Sequence, residues 1–106
     1  MSTISEIQPQ EAYARARSAA GDVIVDVRTN EEWQGGHAPG ALHFVLDTLA
    51  QHWDELRGYE NVYFVCRSGG RSEIAAVQAQ AAGLSNVHNV VGGMKRWKKE
   101  GLPVEA

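Results

Sequence analysis

Only one cysteine stands among the 106 residues, which excludes an internal disulfide and any internal thiol that would resolve a modified Cys66. Whatever Cys66 carries must leave to an outside acceptor. Long apolar runs are also missing: nothing approaches the roughly 20 residues needed to cross a membrane, and the start, MSTISEIQPQ, lacks the basic and apolar segments of a secretory leader. A cytoplasmic protein is the expectation. Nor is there an excess of positive charge, since the formal net charge is -3, and this argues against general nucleic-acid binding. The chain carries no internal repeat or low-complexity tract. His43, His52 and His88 lie on separate elements without a metal-ligand spacing, so no metal and no cofactor is expected.

What is present is ordinary in bulk and unusual at one place. With 43% hydrophobic and 22% charged residues, the composition suits one soluble globular domain over residues 1–106. The stretch VYFVCRSGGRSEIAAVQAQ, residues 62–80, is the exception. Residues 62–65 form a β-branched and aromatic run without polar alternation, as in a strand covered on both faces. Cys66 follows at its end. Arg67, Ser68, Gly69, Gly70 and Arg71 then make a loop that cannot extend the strand, and residues 72–82 read as a helix that Gly83 stops.

Three features of this stretch point to a thiolate at Cys66. Unpaired amide N–H groups in the first helical turn face the loop and carry the positive end of the helix dipole. Arg67 and Arg71 add fixed charge with forked donors suited to oxyanions. Such surroundings lower a cysteine pKa from about 8.5 to roughly 3.5–7.5. A lone cysteine is otherwise most often an inert buried hydrophobe, but two glycines and two arginines are poor core material. The stretch therefore reads as a nucleophile beside an anion-binding pocket.

The rest of the chain alternates strands and helices. Residues 4–7 read as a first strand, and Pro9 opens a helix through Arg17 that ends by Gly21. Residues 23–27 read as a central strand whose end carries Asp26 and Arg28, charges that need partners when buried and suit an ion pair holding nearby loops. Asn30 is the expected cap of a short turn through Trp33, closed by Gly35 and Gly36. Residues 37–40 form a turn before a small strand over 41–44. His37 is read as structural, because a thiolate already stabilised needs no general base. Asp47 is expected to cap a helix to Leu56, with Leu46, Leu49, Trp53 and Leu56 on its core face. A strand over 87–91 leads through Gly92 and Gly93 into a last helix, where Trp97 packs inward and Lys95, Arg96, Lys98 and Lys99 form a solvated face. This order predicts an α/β fold with a small parallel sheet between helices, its ligands bound beyond the carboxyl ends of the strands.

Three segments in order resemble the signatures of the rhodanese family of sulfurtransferases: DVRTNEEWQGGHAPGALHF over 26–44, CRSGGRS over 66–72, and VVGGMKRWKKEGLPV over 90–104. The resemblance implies the three-layer rhodanese fold, with helices on both faces of the sheet. It also implies catalysis by Cys66, which would form a persulfide with a donor such as thiosulfate and yield the sulfur to a thiol, a protein sulfur carrier or cyanide. Arg67 and Arg71 would bind the donor's oxyanion, with Ser68, Gly69, Gly70 and Ser72 completing the substrate loop. Ser72 equally suits a helix cap. Asp26, Arg28 and His37 would support the site.

Two other readings compete. Related loops serve cysteine-dependent phosphatases and arsenate reductases, but four residues separate Cys66 from Arg71, one fewer than in the phosphatase motif, and no aspartate is evidently placed as general acid. A shorter loop suits a sulfur atom better than a phosphoryl group. The second alternative is a regulatory or sulfur-carrier module, against which stand the retained cysteine and its cationic loop.

Overall fold

The computed structural model describes residues 4–106, and the strand that delivers Cys66 lies at its centre. β4 (Asn61–Val65) pairs in parallel with β2 (Asp22–Asp26) on one side and β5 (Val87–Val90) on the other. The edges are β1 (Ser5–Ile7), beside β5, and β3 (Leu42–His43), beside β2, and both pairings are parallel. The sheet order is thus β1-β5-β4-β2-β3.

The missing alternation in β4 follows from burial on both faces. Val62 and Phe64 share a core with Leu56 of α3 (Trp53–Leu56) and with Ala75, Ala76 and Ala79 of α4 (Gly70–Ala81). Tyr63 and Val65 face the other way, into a core with Ala12 of α1 (Pro9–Ser18) and with Met94 and Trp97 of α5 (Gly93–Lys99). None of the four strand residues is more than 2% exposed, and burying such side chains contributes about 1.5–3 kcal/mol each before entropy is counted. Trp97 is fully buried, as its sequence context predicts, and its Nε1–H donates to the Pro103 carbonyl at 2.8 Å. The expected three-layer α/β sandwich is what forms. Among the described residues, no helix is long and apolar enough to cross a membrane.

Three local expectations need correction. Thr29, not Asn30, caps α2 (Asn30–Gln34): its side chain accepts the Glu32 N–H while the Glu32 carboxylate accepts the Thr29 N–H, a reciprocal capping box. Asp47 caps no α-helix, because residues Leu46–His52 form a 3-10 helix without a side-chain cap before the single α-turn of α3. The Leu46 and Leu49 spacing suits a three-residue repeat as well as a 3.6-residue one, and the short 3-10 form still buries Leu49. Ser72 is not a cap either. α4 starts earlier, at Gly70, with Gly69 before it at φ 112°, a left-handed conformation that glycine adopts without strain.

Candidate active site

Cys66 directly follows the last residue of β4, at the carboxyl end of the central strand, and is 1% exposed. The turn through Gly69 brings that residue's N–H to 3.1 Å from Cys66 Sγ, and the first turn of α4 brings the Ser72 Oγ–H to 3.3 Å. Burial alone would push the thiol up. It is outweighed by hydrogen bonds from the Ser72 hydroxyl and from the N–H groups of Ser72, Gly69 and Ser68, which hold the Cys66 pKa below the ordinary thiol value. The leading stabilisers are therefore neutral donors rather than the two arginines that the sequence brings to mind.

The loop is gripped from behind by α5. Met94 N–H donates to the Cys66 carbonyl at 2.8 Å and Lys95 N–H to the Arg67 carbonyl at 2.9 Å, so two otherwise unpaired donors of the helix start find acceptors on the loop. The contact requires glycine. Gly93 has φ +59°, and a Cβ there would lie 2.5 Å from the Arg67 carbonyl carbon.

Arg71 is committed elsewhere. Its Nη1 and Nη2 donate to the two Glu32 carboxylate oxygens at 2.7 and 2.9 Å, joining α4 to α2 across 39 residues of sequence. Arg71 lowers the Glu32 pKa from its ordinary 4.5 to about 2, with further help from Thr29, against a smaller opposing effect of burial. Arg67, by contrast, is exposed. It lines a recess of about 370 Å³ together with Arg28, Glu31, Glu32, Gly35, Lys95 and Lys98. On the other side of Lys95, Ser68 borders a second hollow with Gly92, Arg96, Lys99 and Glu100.

The supporting residues form one assembly. Asp26 is fully buried, and its carboxylate accepts the Arg28 N–H at 2.9 Å, Nε–H at 2.9 and 3.0 Å and Nη2–H at 2.8 Å. Arg28 Nη2 also donates to the Gly36 carbonyl at 2.8 Å, so the pair holds the turn before His37. The His37 ring stacks on Trp33 with centroids 3.5 Å apart, and its Nδ1–H donates to the Trp33 carbonyl at 3.1 Å. Its backbone bridges to Glu105 in both directions, at 2.8 and 2.9 Å. None of these polar contacts leads to Cys66.

Sequence reading misses four contributors. Asn89 looks like one more residue of an apolar strand, yet it is a buried amide that meets the loop: Oδ1 accepts the Ser72 Oγ–H at 2.6 Å and Nδ2–H donates to the Gly69 carbonyl at 3.2 Å. Glu32 had a readable signal in the Thr-x-x-Glu capping pattern, although nothing in the sequence ties it to Arg71. Lys95 and Lys98 are three apart on α5, a spacing that puts both on one helix face.

Fold and site together define an α/β domain built around a single hydrogen-bonded thiol at the end of its central strand. Residues 8–100 match the Rhodanese-like domain family, and the chain belongs to that family. It is 36% identical over 96 residues to the putative sulfur carrier protein YrkF of Bacillus subtilis, covering 91% of this chain and 52% of that protein, so it spans about half of that relative's length. A sulfurtransferase of Allochromatium vinosum is 30% identical over 103 residues, covering 97% of this chain and 96% of the relative. The crystal structure of a rhodanese-like domain protein from Staphylococcus aureus has TM-score 0.83 and 32% identity, covering 97% of this chain and all of that one. A structure from Rhodopseudomonas palustris, described as a protein of unknown function and possible tyrosine phosphatase, has TM-score 0.87 and 30% identity, covering 96% and 85%. Family membership and the sulfurtransferase relatives support a role in sulfur transfer.

Proposed function

We propose that the protein is a thiosulfate sulfurtransferase, with Cys66 as its nucleophile and sulfur carrier. The observation that carries this reading is the convergence of the Gly69 N–H and the Ser72 O–H on a single buried sulfur, an arrangement that favours thiolate without any charged partner in contact. The Cys66 thiolate attacks the outer sulfur of thiosulfate; the sulfur–sulfur bond of the donor breaks, sulfite leaves with the bonding pair, and Cys66 holds a persulfide anion. An external thiolate, from a small molecule or a protein, then takes the terminal sulfur and restores the Cys66 thiolate, a ping-pong cycle. Cyanide replaces that acceptor in the assay. The loop N–H groups from Ser68 to Ser72 stabilise the negative terminal sulfur between the two steps.

In this reading the donor's sulfonate is held mainly by Arg67, with Lys95 and Lys98 across the same recess, because Glu32 neutralises Arg71. Arg71 becomes the residue that fixes the start of α4, and Asp26, Arg28 and His37 support the neighbouring loops. The phosphatase reading, which the Rhodopseudomonas palustris neighbour raises, has two observations against it. The loop is one residue shorter than that motif, and the arginine that would clamp a phosphoryl group is already bound at both terminal nitrogens.

Intact mass after thiosulfate treatment and desalting tests the proposal. Gain of one sulfur, removed by cyanide and absent in Cys66→Ser, is the expected result. No gain with thiosulfate under conditions where Cys66 reacts with an alkylating agent would overturn thiosulfate as the donor.

A further inference from the structure

The Ser72 hydroxyl has one hydrogen and two acceptors. Asn89 Oδ1 lies 2.6 Å from Ser72 Oγ, a short oxygen–oxygen hydrogen bond, and Cys66 Sγ lies 3.3 Å away, an ordinary length for the larger sulfur atom. A hydroxyl donates only once, so only one of the two bonds is made at any moment. The amide is not free to turn and relieve the competition. Its Nδ2–H donates to the Gly69 carbonyl, and the flipped amide would set oxygen against oxygen there while presenting N–H to Ser72. Asn89 is 4% exposed and Ser72 fully buried, which leaves solvent little part in the choice.

We propose that Asn89 is a positioning residue that competes with the Cys66 sulfur for the Ser72 hydroxyl proton, so that this proton swings between the two as the sulfur gains and loses charge. When Cys66 is a neutral thiol, the hydroxyl points to Asn89. When the sulfur is a thiolate, charge makes it the stronger acceptor and the hydroxyl turns to it. Once the sulfur is bonded to a second sulfur, the charge moves outward to the terminal atom and the hydroxyl returns to Asn89. The amide thus stabilises the uncharged states of Sγ, keeping the thiolate more basic, and more nucleophilic, than the loop alone would leave it. The swing concerns the proton state of Cys66 and stands whichever sulfur donor the enzyme uses.

The charged groups around Cys66 do not duplicate this effect. Arg71 of α4 is paired with Glu32 of α2, and Asp26 of β2 with Arg28. Arg67 is exposed on the loop, as is Lys95 where α5 meets it, and neither touches the Ser72 to Asn89 bond. Removing the amide does not orphan the loop, since the Gly69 carbonyl also accepts the Glu73 N–H at 3.2 Å.

The test is the midpoint of the pH profile for alkylation by iodoacetamide, unambiguous in a chain with one cysteine. Asn89→Leu, of similar size and apolar, removes the competing acceptor. The expected result is a midpoint lower by about half a unit to one unit, the effect of freeing one hydrogen bond for a charged acceptor. If Asn89 only braces the loop, its loss disorders the donors and the midpoint rises. The drop is also expected to vanish in a Ser72→Ala background, because it acts through that hydroxyl. Asn89→Val, a good strand residue, serves if Asn89→Leu does not fold. An unchanged or raised midpoint, or a drop that persists without the Ser72 hydroxyl, would overturn the proposal. Alkylation needs no sulfur donor, so failure here leaves the sulfur-transfer reading standing, and failure to form a persulfide leaves this one standing.

Discussion

Replacing Glu32 by Gln keeps the size of the side chain and removes the charge that Arg71 and Thr29 recognise. A carboxyl held at about 2 instead of its ordinary 4.5 corresponds to at most roughly 3.5 kcal/mol, at about 1.4 kcal/mol per pKa unit. The Glu32 and Arg71 side chains are 27% and 35% exposed, so solvent screening reduces this to about 1–2 kcal/mol. The sign follows from the folded pKa lying below the unfolded one. The contribution is complete above the unfolded value near 4.5 and is lost as pH falls toward about 2. Urea denaturation of the wild type and Glu32→Gln across pH 7 to 2.5 reads it directly: the variant is less stable by about 1–2 kcal/mol at pH 7, and the two curves converge in acid. A gap of the same size at pH 7 and pH 2.5 would refute the charge-based account and leave packing as the cause.

Other substitutions probe the remaining parts. Asp26→Asn strips a fully buried carboxylate from Arg28 and should cost about 3–5 kcal/mol in chemical denaturation, since an uncompensated guanidinium stays buried; a cost under 1 kcal/mol would contradict the pairing. Lys95→Ala combined with Lys98→Ala should raise KM for thiosulfate several-fold at low salt with little change in kcat, and the effect should shrink as salt screens the recess; a change confined to kcat would refute the donor-binding role. Gly93→Ala places a methyl group against the backbone of Cys66 and Arg67 at a positive φ. It is expected to abolish persulfide formation or folding, so native-like circular dichroism with full activity would count against the close packing described for α5.

The sequence made the strand, the cysteine and the glycines legible because each is a local signal. An unbroken apolar run needs two covered faces, and paired glycines need unusual backbone angles, whatever lies elsewhere in the chain. The three-layer order followed from alternation of such signals. The Glu32 to Arg71 pair was illegible for the opposite reason: its partners are 39 residues apart, and Arg71 beside a cysteine looks like an anion binder until its nitrogens are seen to be taken. Asn89 was hidden by its neighbours, Val87 and Val90, which make the segment read as plain core. The helix to Leu56 failed on periodicity, since leucines three apart satisfy a 3-10 turn and an α-turn alike.

Peptide planarity gives the grip of α5 on the loop a reach beyond the two hydrogen bonds it makes. In a trans peptide the carbonyl of one residue and the N–H of the next point in opposite directions. Pinning the Arg67 carbonyl toward Lys95 therefore turns the Ser68 N–H away from α5, and the Ser68 N–H is among the groups that lower the Cys66 pKa. The C-terminal helix thus acts as a sighting device, aiming a dipole at a sulfur that it never touches. A chain shortened before Gly93 would keep Cys66, Arg67, Gly69, Gly70 and Arg71, yet leave that peptide plane free to rotate.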